Sequence, residues 1–169
     1  MRRREVLFGG AGAVVLAGAG GALWSLRSPR AALAASAEVF EITKTDEEWR
    51  ALLSDAQFEV LREEGTERAF TSPLNDEKRK GVFHCAGCDL PVYSSEKKYD
   101  SGTGWPSFWD AEPHAVGMRE DNSFFMTRNE CHCRRCGGHL GHIFDDGPQP
   151  TGLRHCINGV AMTFKPATA

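Results

Sequence analysis

Two CxxC pairs, Cys85-Ala86-Gly87-Cys88 and Cys133-Arg134-Arg135-Cys136, constrain this chain more than any other feature. Each sets two thiols on one tight turn with glycine in or just after it. Two such turns satisfy the tetrahedral preference of a closed structural zinc site. A single CxxC could be a redox dithiol, whereas two pairs point to one Zn2+ per chain, with Cys85, Cys88, Cys133 and Cys136 as ligands and no open position for catalysis. The 44 residues between Cys88 and Cys133 exceed the gap of a compact zinc ribbon, so the metal is expected to staple two distant strand turns of one domain. His84 and His132, directly beside ligands, are expected only to neighbour the metal.

Four ligands leave two of the six cysteines. Cys131 lies two residues before Cys133, so in a strand both point to one face, and pleating does not exclude it as a ligand. Cys156 stands alone in Gly152-Leu153-Arg154-His155-Cys156-Ile157-Asn158-Gly159. Cations at Arg154 and His155 would favour its nucleophilic thiolate; the alternative is a small buried hydrophobe.

The N-terminus reads as an address. Arg2-Arg3-Arg4 precedes an uncharged run from Val6 to Leu26, and Ala31–Ala37 offers A-x-A sites ending at Ala34 and Ala37. This resembles a twin-arginine export signal over residues 1–37, and so predicts a periplasmic or otherwise extracytoplasmic protein. The run is also long enough to span a bilayer, so an uncleaved leader would be the one route to membrane attachment. Without it the chain keeps 15 basic and 22 acidic residues, a net charge of −7, which argues against nucleic acid as a partner.

Residues 38–169 are long enough for a single domain. Thr45-Asp46-Glu47-Glu48 is a capping box opening a helix through Trp49, Leu52 and Leu53, and Ser54-Asp55-Ala56-Gln57 repeats the signal for a helix carrying Phe58, Val60 and Leu61 and stopping at Gly65. Thr66–Lys80 reads as a solvated connector with mixed charges. From Gly81 short runs predict antiparallel strands at Val82-Phe83, Val92-Tyr93, Ser123–Met126, His139–Phe144 and Gly159–Phe164.

Three further stretches carry chemistry. Ser101-Gly102-Thr103-Gly104-Trp105-Pro106-Ser107-Phe108 packs glycine, proline and aromatics into one loop, as a ligand wall would, although a core-filling Trp has the same composition. His139-Leu140-Gly141-His142-Ile143-Phe144-Asp145-Asp146-Gly147 offers imidazoles and carboxylates as proton donors or as a structural network. Together with the CxxC pairs and GLRHCINGVAMTF, these motifs closely resemble methionine sulfoxide reductase B over roughly Trp49 to Lys165.

The resemblance implies a mainly β fold of two small antiparallel sheets, with N-terminal helices packed against them and the zinc away from the chemistry. It implies reduction of methionine R-sulfoxide, free or in proteins, as oxidative-damage repair. Cys156 would be the nucleophile and would end as a sulfenic acid. Trp105 and Phe108 would bind substrate; His139, His142 and Asn158 would hold the sulfoxide oxygen or a water, and Asp146 and Arg154 would orient the site. A thioredoxin-like or other dithiol would be the reductant. Where many members carry a resolving cysteine this chain has Thr103, so either an external reductant regenerates Cys156 or Cys131 resolves it. Two rival readings remain. A zinc-ribbon binding module leaves Cys156 and Trp105 without purpose, and a scaffold of three disulfides would leave no thiols.

Overall fold

The computed structural model describes residues 38–123 and 127–168. The export signal expected over residues 1–37, and residues 124–126 of one expected strand, lie outside them. From Glu38 onward the chain packs as one unit, mainly β, with two antiparallel sheets and two short helices.

Helix α1 (Asp46–Leu52) starts at the expected capping box, with Glu48 N–H donating to Thr45 Oγ1 and Thr45 N–H to the Glu48 carboxylate. Helix α2 (Asp55–Glu63) repeats the device with Ser54 and Gln57. Their apolar faces bury Trp49, Phe58, Val60 and Leu61. Leu52 ends α1 with its side chain exposed, and α2 ends at Glu63 with Glu64 in the left-handed region, just short of the expected stop at Gly65.

The smaller sheet runs β2 (Pro91–Ser94), β1 (Gly81–Cys85), β9 (Met162–Pro166). The larger runs β3 (Lys98–Tyr99), β4 (Ser107–Phe108), β8 (Arg154–Ile157), β7 (His139–Phe144), β6 (Arg128–Cys133), β5 (Val116–Asp121). Strands β3, β4, β5, β6 and β8 are absent from the sequence expectation: the first two are only two residues long, and in the others polar positions break the apolar runs. Gly159–Ala161 forms a 3₁₀ turn, so the last strand begins only at Met162. Aromatic rings fill the core: Tyr93 stacks on Phe108 at 4.3 Å between centroids, and Phe83 meets Phe108 edge-on at 5.0 Å. Phe108 is therefore core. The substrate-binding role expected for it fails because its ring is fully buried against these partners.

Pleating sorts the cysteine neighbourhood onto two faces. On β8, His155 and Ile157 are buried while Arg154 and Cys156 alternate to the other side. His155 is thus no cation beside Cys156. Its Nδ1 is hydrogen-bonded to the Tyr93 hydroxyl at 3.2 Å, and burial lowers its pKa from 6.5 to about 4, keeping the ring neutral.

A depressed histidine pKa means that the unfolded chain binds the extra proton first, so stability falls as pH drops from 6.5 towards 4 and is fully present above that window. His155→Phe should flatten this acid slope in pH-dependent thermal or urea denaturation, removing up to about 3 kcal/mol of pH-dependent loss.

Candidate active site

The six-stranded sheet carries one row of side chains straight across it. Ser107 on β4 pairs with Cys156 on β8, Cys156 with His142 on β7, His142 with Glu130 on β6, and Glu130 with Arg119 on β5. Directly paired positions share a face. His139 and His142, three residues apart, would point to opposite faces of a regular strand. Here the register steps between Cys131 and His132 while the partner moves from Gly141 to His139. The extra residue, Leu140, is a β-bulge in β7 that returns both imidazoles to one side, with centroids 5.3 Å apart. Gly141 is required there because a Cβ would lie 2.1 Å from the Cys156 carbonyl oxygen.

A cleft of about 130 Å³ opens on this face, lined by Cys156, Trp105, His142, Asn158, Gly141 and Phe144 together with Thr66 and Arg128. The glycine-rich loop closes one side. Thr103 Oγ1 is 3.7 Å from Cys156 Sγ, and hydroxyl contacts continue from Thr103 through Ser101 to Ser107 at 2.8 and 2.7 Å. Trp105 Nε1 donates to the Glu67 carbonyl at 3.0 Å. Glu67 N–H donates to Asn158 Oδ1, and the Glu67 carboxylate accepts from Gly159 and Val160 N–H. The Thr66–Lys80 stretch, expected to be a solvated connector, therefore ties the indole to the turn after Cys156. Nothing in its composition announces this, since two of these four bonds use the backbone of Glu67 rather than its side chain.

The remaining expected residues divide. Asn158 lines the cleft, but its amide also donates to the Leu140 carbonyl and accepts from Glu67. Arg154 shares the Cys156 face two residues along the strand, lies 4.3 Å over the Phe144 ring, and is held by Asp146 through two 2.8 Å hydrogen bonds. Asp146 in turn has its carboxyl held below the usual range by that bond to Arg154.

Each histidine of the pair has its own carboxylate. His142 Nε2 donates to Asp121 at 2.8 Å, and burial holds the His142 pKa below its usual value despite that partner. Hydrogen bonds from Ser123, then from His142 and Arg128, hold Asp121 far below the carboxylate range. His139 Nδ1 donates to Glu130 at 2.8 Å. Burial opposes ionisation of Glu130, yet the bonds from His139 and Arg119 outweigh it and keep the pKa lowered. Neither Asp121 nor Glu130 stood out in the sequence. The available signal was alternation along 128–133, which sets Glu130 on the face opposite Cys131.

Cys131 does not join the site. It is fully buried on the other face, its thiol 3.3 Å from the Tyr93 hydroxyl, and burial pushes its pKa up to about 12. Strand β7 lies between β6 and β8. Two inter-strand spacings separate the Cys131 and Cys156 backbones by about 9–10 Å, beyond the roughly 7 Å that a disulfide can bridge. Of the two alternatives for regenerating Cys156, resolution by Cys131 does not fit this geometry: the thiols are too far apart and on opposite faces.

Elsewhere the two CxxC turns meet, and none of their cysteines lines the cleft. The sulfurs of Cys85, Cys88, Cys133 and Cys136 all lie within 4.8 Å of one another, with Cys85–Cys136 at 3.7 Å and Cys88–Cys133 at 3.4 Å. Ligands about 2.3 Å from a tetrahedral centre sit about 3.8 Å apart, so these four thiols could hold a metal ion. None of the six cysteines is in a disulfide.

A family model described as the SelR domain matches residues 53–166. The chain is 51% identical over 125 residues to the peptide methionine sulfoxide reductase MsrB of Methanosarcina barkeri, covering 73% of this chain and 88% of the relative. It is 54% identical over 127 residues to the protein of that name from Pseudomonas putida, covering 75% and 96%. Against that from Agrobacterium fabrum the identity is 49% over 127 residues, covering 75% and 94%. The chain belongs to the SelR-domain family of MsrB proteins. It is accordingly an oxidoreductase of the methionine sulfoxide reductase B class.

The four-thiol cluster makes its own prediction. Purified protein should contain one equivalent of metal by elemental analysis, and Cys133→Ser should lose it and melt more than about 10 °C lower.

Proposed function

We propose that this protein reduces methionine R-sulfoxide, free or in proteins, to methionine, with Cys156 as nucleophile, and thereby repairs oxidised proteins. The observation that carries the reading is the convergence of Cys156, Trp105, His142 and Asn158 on one small cleft. Its volume is well below the roughly 300 Å³ at which drug-sized ligand pockets begin, and suits a single side chain. Trp105 offers its face to the substrate methyl group, and the histidines and Asn158 surround the oxygen.

The step balances as thiol plus sulfoxide giving sulfenic acid plus sulfide. Cys156 Sγ attacks the sulfoxide sulfur while the oxygen takes a proton. The oxygen then passes to Sγ, the sulfur–sulfur bond breaks, and methionine leaves with Cys156 as sulfenic acid. Arg154, held by Asp146, sets a permanent positive charge on the Cys156 face. A thiol of an external dithiol then condenses with the sulfenic acid, releasing water and forming a mixed disulfide. The second thiol of that reductant frees Cys156. The burial of Cys131 and the hydroxyl at Thr103 support this external route. The four-cysteine cluster would hold a structural zinc, closed to substrate and adding rigidity rather than chemistry. The export-type leader extends the proposal to repair outside the cytoplasm, with any membrane attachment confined to an uncleaved leader.

The test is turnover of the two methionine sulfoxide epimers with dithiothreitol. The R epimer should be reduced and the S epimer not, and Cys156→Ser should lose activity by at least about a thousandfold. Without reductant, one equivalent of sulfoxide should leave a dimedone-reactive sulfenic acid on Cys156, with Cys131 still a free thiol by mass spectrometry. Thr103→Cys, at a position whose side chain already touches Cys156 Sγ, should instead trap a 103–156 disulfide.

A further inference from the structure

The Glu130–His139 pair is the most enclosed ionisable pair beside the cleft. Glu130 is 3% exposed and His139 2%. Glu130 Oε1 lies 2.8 Å from His139 Nδ1, and Arg119 donates to both carboxylate oxygens from the adjacent strand. Arg119 is itself anchored by Glu64 at the end of α2, at 2.7 Å. An ionised carboxylate only accepts, so the proton in the Glu130–His139 bond belongs to Nδ1. This leaves Nε2, which is buried and has no hydrogen-bond partner among the described residues. Buried polar atoms are normally satisfied, and this one, on a ring 5.3 Å from the cleft-lining His142, marks a place for a ligand atom or a water.

His142 is held the opposite way round. Its Nε2 is engaged by Asp121, and burial disfavours its charged form. Each ring therefore has an ionised partner, His139 on Nδ1 with its buried Nε2 unengaged and His142 on Nε2 with its ring lining the cleft wall.

We infer that Glu130 is a positioning residue for the reduction: it fixes His139 as the Nδ1–H form, leaving Nε2 to serve the sulfoxide oxygen, with Arg119 keeping Glu130 ionised. Protonated His139 gives its Nε2 proton to the sulfoxide oxygen as the sulfur–oxygen bond weakens, and keeps its Nδ1 proton on Glu130. Solvent returns the transferred proton. The inference rests on the sulfoxide-reductase reading above.

The test uses metal-loaded full-length protein with Glu130→Gln, Glu130→Asp and Arg119→Gln. Single-turnover reduction of methionine R-sulfoxide is measured alongside ¹⁵N NMR of the histidine rings. For Glu130→Gln the turnover rate should fall by at least about tenfold with KM changed less than about twofold, as expected when a proton donor in the transition state is lost. The low-field His139 Nδ1–H resonance should disappear with it. Glu130→Asp should recover part of both. Arg119→Gln, on a half-exposed strand, should move both in the same direction by less, and it keeps the test open if Glu130→Gln does not fold. A well-folded Glu130→Gln with native turnover, or with slowed turnover and an unchanged His139 resonance, overturns the inference. A wild type with no R-sulfoxide turnover overturns the functional reading instead, and the NMR arm still reports whether Glu130 sets the His139 tautomer.

Discussion

The close approach of β7 to β8 at Gly141 is the contact on which the rest of the site depends. No side chain could occupy that position against the Cys156 carbonyl. The pairing sets His142 opposite Cys156, and the bulge beside it brings His139 to the same face. From there the order of strands does the rest: Glu130 and Arg119 extend the row on one side and Ser107 on the other. A line of polar groups crosses a sheet whose opposite face is aromatic and aliphatic core.

That division explains why parts of the site were legible in the sequence and others were not. The four clustered cysteines could be read directly, because a metal site writes its geometry into local spacing. Cys156 could be isolated by subtraction. The carboxylates Glu130 and Asp121 could not, since each serves a histidine 9 or 21 residues further along the chain and acquires its role only when strands pair. Glu67 was hidden for another reason: its contacts run through backbone as much as side chain. His155 misled in the opposite sense, since adjacency in sequence to Cys156 means the opposite face in a strand. The fold class was readable from short runs between glycines, but β5, β6 and β8 carry Arg, Glu, His and Cys at positions where apolar alternation would have announced them.

Electrostatics are arranged locally rather than by net charge. Within the cleft region Asp121, Glu130 and Asp146 each hold a cationic or imidazole partner, and each has its pKa lowered. Negative charge is thus committed to orienting other groups, and Arg154 sets a fixed positive charge two residues from Cys156 on the same face of its strand. The metal-type cluster lies on separate turns, so the proposed division gives rigidity and reactivity to different cysteines of one domain.

The pleat of β8 has one more consequence. With Cys131 sealed behind the sheet and a threonine beside Cys156, an oxidised Cys156 has no neighbour to which it can hand its oxidation. On the proposed mechanism each cycle would then discharge through the mouth of the cleft. Recovery would be governed by whatever dithiol can reach that opening, and the enzyme would be a one-thiol device whose redox state follows its surroundings rather than an internal reserve.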